Sequence, residues 1–256
     1  MAQLQELEGI VLSKRKYKER DFLVKLLLKD VGKLMFYVRG SKNPNQSLNH
    51  IIQPFTYATY IVDLRKSGLS FIRDAKHVEP YTAIQHDIFK NAYGTYICSL
   101  IDASMEDRKE ANPLFNQLHY GLEAINKGLD AEIIMNIFEV KLLYYFGVLP
   151  VLNACVICGN QRGPFDFSSK HGGVLCRNHY HEDEHRLHAD PRALFYMNRF
   201  LTINLENIED ISVANKTKGN IQTVIDYIYD ESVGLRLKSK DFIRQMNKWG
   251  KLLQDN

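Results

Sequence analysis

Three of the four cysteines in this 256-residue chain lie in one short segment, in the pattern Cys155-x2-Cys158-x17-Cys176-x2-His179. Two short ligand pairs separated by a loop are typical of a tetrahedral zinc site. Glycines follow the first pair and precede the second, and glycine permits the turns that point backbone N–H groups at thiolate sulfurs. With four protein ligands, the pattern predicts a structural Zn²⁺ ion, one per chain. His181 is an alternative to His179 as the fourth ligand. The alternative to a zinc site is that the two ligand pairs are unrelated and do not come together in the fold.

The same segment contains His181-Glu182-x2-His185, which is the H-E-x-x-H order of zinc metalloproteases. In those enzymes both histidines lie on one face of a helix and a third ligand follows. Here the motif begins two residues after a zinc pair, in a charged stretch that ends at Pro191. We interpret these histidines as residues of a solvated loop, with hydrolysis of a bond as the alternative.

The first 80 residues contain five runs rich in β-branched, aromatic and other apolar residues, separated by turn signals. A longer break follows the third run. This order favours a five-stranded barrel of the OB type, although an SH3-like barrel or a small sandwich would give a similar pattern. The predicted strands lie at residues 7–17, 21–29, 33–40, 55–65 and 69–75.

After residue 80 the apolar residues recur at helical spacing, and two helix starts are marked by Asn112-Pro113 and Asp190-Pro191. The predicted fold is therefore α+β and multi-domain. An OB-fold nucleic-acid-binding domain spans residues 1–80, and a helical domain spans 81–256 with the zinc-binding insertion at about 150–188. Cys98 lies in a helical apolar pattern, where we expect a small buried side chain.

The net charge of +3 is unevenly distributed, because residues 1–80 carry a balance of +6 and residues 81–256 a balance of −3. A basic barrel can bind a nucleic-acid strand when cations contact phosphates and aromatic rings stack on bases. Tyr17 and the alternating pair Phe36 and Tyr37 are the aromatic candidates, of which Phe36 is expected in the core. The predicted DNA-binding residues are Lys14, Arg15, Lys16, Lys18, Arg20, Lys33, Arg39 and Lys42.

No nucleotide-binding glycine loop and no nucleophile elbow occurs in the sequence, so we predict a protein without catalytic activity. We expect no secretory signal and no membrane span. Reduced thiolates together with a lone Cys98 indicate the cytosol.

The chain resembles the RecO family of DNA repair and recombination mediators. The similarity extends over almost the whole chain, in order and at suitable spacing. The matching segments are Glu8-Gly9-Ile10-Val11-Leu12, Asp21-x2-Val24, Gly32-Lys33-Leu34, Arg39-Gly40, Gln53-Pro54-Phe55, Cys155-x2-Cys158-Gly159, Gly172-Gly173-x2-Cys176 and Leu237-Lys238-Ser239-Lys240-x-Phe242.

The resemblance implies a non-enzymatic protein that binds single- and double-stranded DNA and anneals complementary strands. It also implies association with RecR, contact with the acidic C-terminal tail of single-strand-binding protein, indirect help in loading RecA, and a cytoplasmic location near the nucleoid. The chain departs from the family pattern in having His179 where a fourth cysteine is usual. A pure interaction adaptor and an RNA-binding OB protein are the alternatives.

Overall fold

Five strands at the amino-terminal end form a closed barrel, as the alternating apolar residues predict. The structure is a computed structural model that describes residues 3–42 and 48–254; residues 43–45 of the predicted turn after the third strand lie outside this range. The strands are β1 Gln3–Lys16, β2 Phe22–Leu28, β3 Gly32–Val38, β4 Tyr57–Leu64 and β5 Ser70–Glu79.

The strand order around the barrel is β1-β2-β3-β5-β4. β1 is long enough to pair with two neighbours: its first half is antiparallel to β4 and its second half to β2, with an irregularity between Val11 and Ser13. Among the described strands of the barrel, β3 and β5 pair in parallel and the other neighbours pair antiparallel. This arrangement confirms the predicted OB-type barrel.

Side chains that alternate along the strands fill the barrel. Val24, Phe36, Tyr60 and Val62 are fully buried in one apolar cluster. Because successive residues of a strand point to opposite faces, the neighbours of these residues face outward or toward the helices. Phe36 is therefore a core residue, as expected, while Tyr37 lies on the outer face.

Chain contacts group residues 1–129 and 238–256 into one compact unit and residues 130–237 into a second. The first unit holds the barrel and four helices. The predicted boundary near residue 80 falls inside it, between β5 and the first helix, and stays a prediction. The helices are α1 Thr82–His86, α2 Ile88–Ser104, α3 Asn112–Lys127 and α7 Lys238–Gln254.

Two details of these helices differ from the sequence interpretation. Asn112 does not cap α3 with its side chain; instead it accepts a hydrogen bond from the backbone N–H of Asp30 (2.7 Å) and donates one to the Asp30 carboxylate (2.6 Å). Ile88 and Phe89 at the start of α2 are among the apolar residues that recur at helical spacing after residue 80, but they are 65% and 50% exposed. Cys98 on the same helix is buried, as expected.

The second unit contains three helices and a two-stranded sheet. Asp190 caps α5 by accepting a hydrogen bond from the backbone N–H of Arg192 at 2.8 Å, as Asp190-Pro191 predicted. The elements are α4 Ala131–Tyr145, β6 Phe165–Ser168, β7 Gly173–Cys176, α5 Pro191–Thr202 and α6 Asn215–Ile228. No helix among the described residues is long and apolar enough to cross a membrane.

An ion cluster joins α2 to the barrel. The Asp102 carboxylate accepts hydrogen bonds from Lys25 at 2.7 Å and from Lys33 at 2.9 Å, and Lys33 also donates to the Asp102 carbonyl oxygen. Lys33 is only 7% exposed. The prediction that Lys33 contacts DNA is therefore wrong, because this ammonium group is buried against an aspartate and is not part of an exposed surface.

Replacing Asp102 with Ala should lower the free energy of unfolding by about 3 kcal/mol, since Lys33 would stay buried without its counter-charge. Burial acts to raise the pKa of the Asp102 carboxyl group, but the bonds from Lys25 and Lys33 outweigh it and the pKa is lowered. The stabilisation is therefore present above about pH 4 and is lost as the pH falls further. Urea unfolding at several pH values measures both effects.

Asp107→Ala is the matched control, because Asp107 lies 3.7 Å from the same lysine but is largely exposed. Its loss should cost under about 1 kcal/mol. Equal costs for the two variants would contradict the assignment of the cluster to Asp102.

Candidate metal centre and nucleic-acid interface

Cys155 and Cys158 lie on a tight turn whose backbone is closed by hydrogen bonds. The N–H of Gly159 donates to the Cys155 carbonyl at 2.8 Å, and the N–H of Cys155 donates to the Asn160 carbonyl at 2.8 Å. Gly159 has φ +71°, a conformation that glycine adopts without strain. The turn thus points both thiols to the same side.

Cys176 ends β7, and His179 follows in a 3-10 helix at Arg177–Glu182. The first turn is held beside β7 because Val156 N–H donates to the Val174 carbonyl at 3.0 Å. Gly173 allows this close approach: a Cβ atom there would lie 2.6 Å from the Val151 carbonyl oxygen. The two ligand pairs meet, as the spacing predicted.

The four ligand atoms lie within 4.8 Å of one another. The sulfurs of Cys158 and Cys176 are 3.8 Å apart, and His179 Nδ1 is 3.3 Å from the Cys176 sulfur and 3.7 Å from that of Cys155. Sulfurs bound at 2.3 Å to a tetrahedral zinc are about 3.8 Å apart, and a sulfur–nitrogen pair about 3.6 Å. The donor set and its spacing therefore fit zinc.

The protein environment favours the thiolate form of Cys155 and Cys176. Burial opposes ionisation of Cys155, but backbone N–H groups of Cys176 and Cys158 outweigh it, and the pKa of Cys155 is lowered to about 6. A hydrogen bond with His179 lowers the pKa of Cys176 and raises that of His179. Thiolates are the form that binds metal, so the cluster is prepared for a cation.

His181 and His185 do not join this cluster. His181 is exposed, and its Nε2 lies 3.5 Å from the Glu182 carboxylate. The 3-10 helix ends at Glu182, and His185 follows in a turn, so the two histidines do not share one face of an α-helix as in a metalloprotease. Between the two candidates for the fourth ligand, the geometry selects His179.

Seven of the eight predicted DNA-binding residues have at least partly exposed side chains. Lys14 is half-buried, with its ammonium group 4.4 Å from the Phe22 ring centre, and burial lowers the pKa of Lys14. Lys33 is the buried exception. The exposed residues are Arg15, Lys16, Lys18, Arg20, Arg39 and Lys42.

Five of these exposed cations gather where the β1–β2 turn approaches the end of β3. Two adjoining clefts there share Arg20, Arg39, Gly40 and Ser41 in their walls. Glu19 and Asp21 are the acidic residues in these walls. We call this surface the basic groove; its cations are Lys16, Lys18, Arg20, Arg39 and Lys42.

Asp21 ties the two sides of the groove together. Its carboxylate accepts hydrogen bonds from the Tyr37 hydroxyl at 2.5 Å and from the Gly40 N–H at 3.0 Å. The hydrogen bond from Tyr37 lowers the pKa of Asp21 most, and the bond from Gly40 lowers it further. Asp21 is therefore an anion at neutral pH and binds both groups in that form.

Tyr37 also lies in an aromatic cluster that the sequence interpretation did not identify in full. Its ring centre is 6.2 Å from that of Tyr17 and 5.5 Å from that of Phe71. The guanidinium groups of Arg65 and Arg73 lie 4.5 and 5.0 Å from the Phe71 ring centre. These arginines and Phe71 were missed because they follow β3 by some 30 residues and only the β3–β5 pairing brings them to Tyr37.

Comparison with known proteins places these features in a family. Residues 1–81 match the family described as "Recombination protein O N terminal", and residues 85–241 match "Recombination protein O C terminal". The chain is 49% identical over 251 residues to the DNA repair protein RecO of Enterococcus faecalis, which covers 98% of the chain and 96% of that protein.

Two further relatives carry the same description. The DNA repair protein RecO of Limosilactobacillus reuteri is 45% identical over 94% of the chain and 92% of its own length. That of Streptococcus agalactiae is 43% identical over 97% of both. The amino-terminal barrel, the helical remainder and the Cys3His cluster therefore occur in a chain that belongs to the RecO family of DNA repair proteins.

Proposed function

We propose that this protein is a recombination mediator that binds single- and double-stranded DNA through its barrel and anneals complementary strands without catalysing a reaction. The basic groove is the observation that carries this proposal. Five exposed cations line two adjoining clefts of an OB-type barrel, and basic grooves of this kind follow the phosphate backbone of nucleic acids. Membership of a DNA repair family favours DNA over RNA as the strand.

Phosphate contacts of this kind suit strand annealing. Lysine and arginine side chains neutralise phosphates and release counterions, a gain that does not depend on base sequence. A strand held through its phosphates keeps its base edges free, so they can pair with a complementary strand. The proposed role of the protein is to bring two strands together and to lower their mutual repulsion.

The family membership also supports proposals about partners and location. We propose that the protein works with RecR and binds the acidic tail of single-strand-binding protein. In this way it helps RecA to load on single strands coated with single-strand-binding protein. The proposed location is the cytoplasm near the nucleoid. We propose a groove of about 430 Å³ on the first unit as the place where this acidic tail binds. It is lined by Ile88 and Phe242, which are 65% and 39% exposed, and α7 beside it is rich in lysine and arginine.

We propose that the Cys3His cluster holds one structural Zn²⁺ ion. Cys155, Cys158, Cys176 and His179 would supply all four ligands, which leaves no position for a substrate. The ion would connect the turn at residues 155–159 to β7 and the 3-10 helix after it. The role proposed for it is local support of the second unit.

Changing Lys16, Lys18, Arg20 and Arg39 to Ala should weaken DNA binding most at low salt. The slope of log K against log salt should become shallower by about 3, because each phosphate contact contributes about 0.7–0.9. Titration of a labelled oligonucleotide at several salt concentrations measures it, and a strand-annealing assay should show a parallel loss of rate.

A matched control replaces four exposed cations of the second unit, Arg162, Lys170, Arg192 and Lys216. This variant loses the same net charge and should keep the wild-type slope. Equal slopes in all three proteins would exclude the basic groove as the DNA site, and tighter binding to RNA than to DNA would favour the RNA-binding alternative.

Zinc removal should loosen residues of about 150–188 without unfolding the chain, because the helices of each unit still pack. We expect one tightly held zinc per chain by elemental analysis, and faster hydrogen exchange in this segment after chelation. Cys155→Ser should reproduce the effect of chelation, whereas Cys98→Ala should retain the metal. Unchanged exchange in a metal-free protein would contradict a structural role.

Phe242→Ala should weaken binding of an acidic peptide from the C-terminal tail of single-strand-binding protein by about tenfold, since the variant removes apolar area from the groove. Fluorescence anisotropy with a labelled peptide measures this. Phe89→Ala is the control, because Phe89 is exposed on the same helix as Ile88 but does not line the groove. Equal affinity of all variants would place the tail elsewhere.

A further inference from the structure

The outer face of the barrel carries one row of residues that are neighbours across successive strands. Arg15 pairs with Leu23, Leu23 with Tyr37, Tyr37 with Phe71 and Phe71 with Asp63. Because register fixes which side chains stand side by side on a face, the row brings the aromatic rings of β3 and β5 together. Tyr17 joins them from the turn after β1.

Cations surround these rings. Arg65 and Arg73 have exposed guanidinium groups at Phe71, and the ammonium group of Lys18 lies 5.6 Å from the Tyr17 ring centre. Arg73 is also anchored to the Asp63 carboxylate at 2.9 Å. We call this surface the aromatic–arginine patch; it consists of Tyr17, Tyr37, Phe71, Arg65 and Arg73.

The rings of the patch differ in what they can contact. Phe71 is covered by the two guanidinium groups, and Tyr37 is half-buried between its neighbours with its hydroxyl bound to Asp21. Tyr17 alone among the three is largely exposed, at 51%. Proteins bind unpaired bases by stacking them on exposed aromatic side chains and on arginine, because every base has a π face. The bases of a duplex are stacked on one another inside the helix and are not available for this contact.

We propose that the aromatic–arginine patch is a subsite for unpaired DNA, in which a base stacks on Tyr17 and Arg65 contacts a neighbouring phosphate. This inference rests on the proposed DNA-binding function and deepens it. The basic groove contacts phosphates and accepts single or double strands; the patch discriminates between them. Phe71, Tyr37 and Asp21 are positioning residues. Phe71 holds the guanidinium groups of Arg65 and Arg73. Asp21 binds the Tyr37 hydroxyl and so holds the Tyr37 ring beside Tyr17.

Tyr17→Ala should weaken binding of a single-stranded oligonucleotide by about tenfold and leave duplex affinity within about twofold. The salt dependence should not change, because no phosphate contact is lost. Tyr17→Phe should restore wild-type affinity, since it retains the ring. Tyr144→Ala, which removes a 69% exposed tyrosine of the second unit, is the matched control and should bind like wild type.

Arg65→Gln should make the salt slope shallower by about 0.7 for single strands and leave the duplex slope unchanged. An oligothymidine with one 5-iodouracil should cross-link on irradiation to the peptide that contains Tyr17. If the wild-type protein binds DNA and Tyr17→Ala binds single strands and duplexes as tightly as the wild type does, this inference alone is overturned. Wild-type protein that binds neither form would overturn the proposed function as well.

Discussion

Closure of the barrel by β1 is the constraint on which the nucleic-acid surface depends. One strand pairs with β4 through its first half and with β2 through its second, and Gly9 and Ile10 pair with both neighbours. Closure buries Val24, Phe36 and Tyr60 in one core. It also fixes the register of the outer face, so that residues far apart in sequence form one surface.

The same architecture explains how charges are divided between structure and surface. Lys25 and Lys33 on the barrel have Asp102 of α2 as their counter-charge. These ion pairs attach α2 to the outer face of the barrel. The cations of the basic groove, by contrast, lie at strand ends and in turns, where their side chains are exposed. The first 80 residues are basic because they contain both sets.

Much of this arrangement could be predicted from sequence because the signals are local. The five strands follow from alternating apolar residues, and the Cys3His cluster follows from two short ligand pairs with glycines beside them. Two features could not be predicted, since each depends on contacts between distant residues. Lys33 is a basic residue near other basic residues in the sequence, but it is buried against Asp102 of α2. Phe71 reaches Tyr37 only through the parallel pairing of β3 and β5. His179 was the predicted fourth ligand and His181 its alternative, and the backbone of the 3-10 helix brings His179 to the cysteines.

The route of the chain through its two units has a consequence for synthesis on the ribosome. The first unit is built from residues 1–129 and 238–256, and Ile243 and Met246 of α7 are buried in it. The apolar face of α2 that α7 covers therefore stays exposed to water until α7 has been translated. The second unit, which is continuous in sequence, can complete its fold first. A nascent chain would thus hold an incomplete first unit while residues 130–237 have already folded, and α7 would complete the first unit once it emerges.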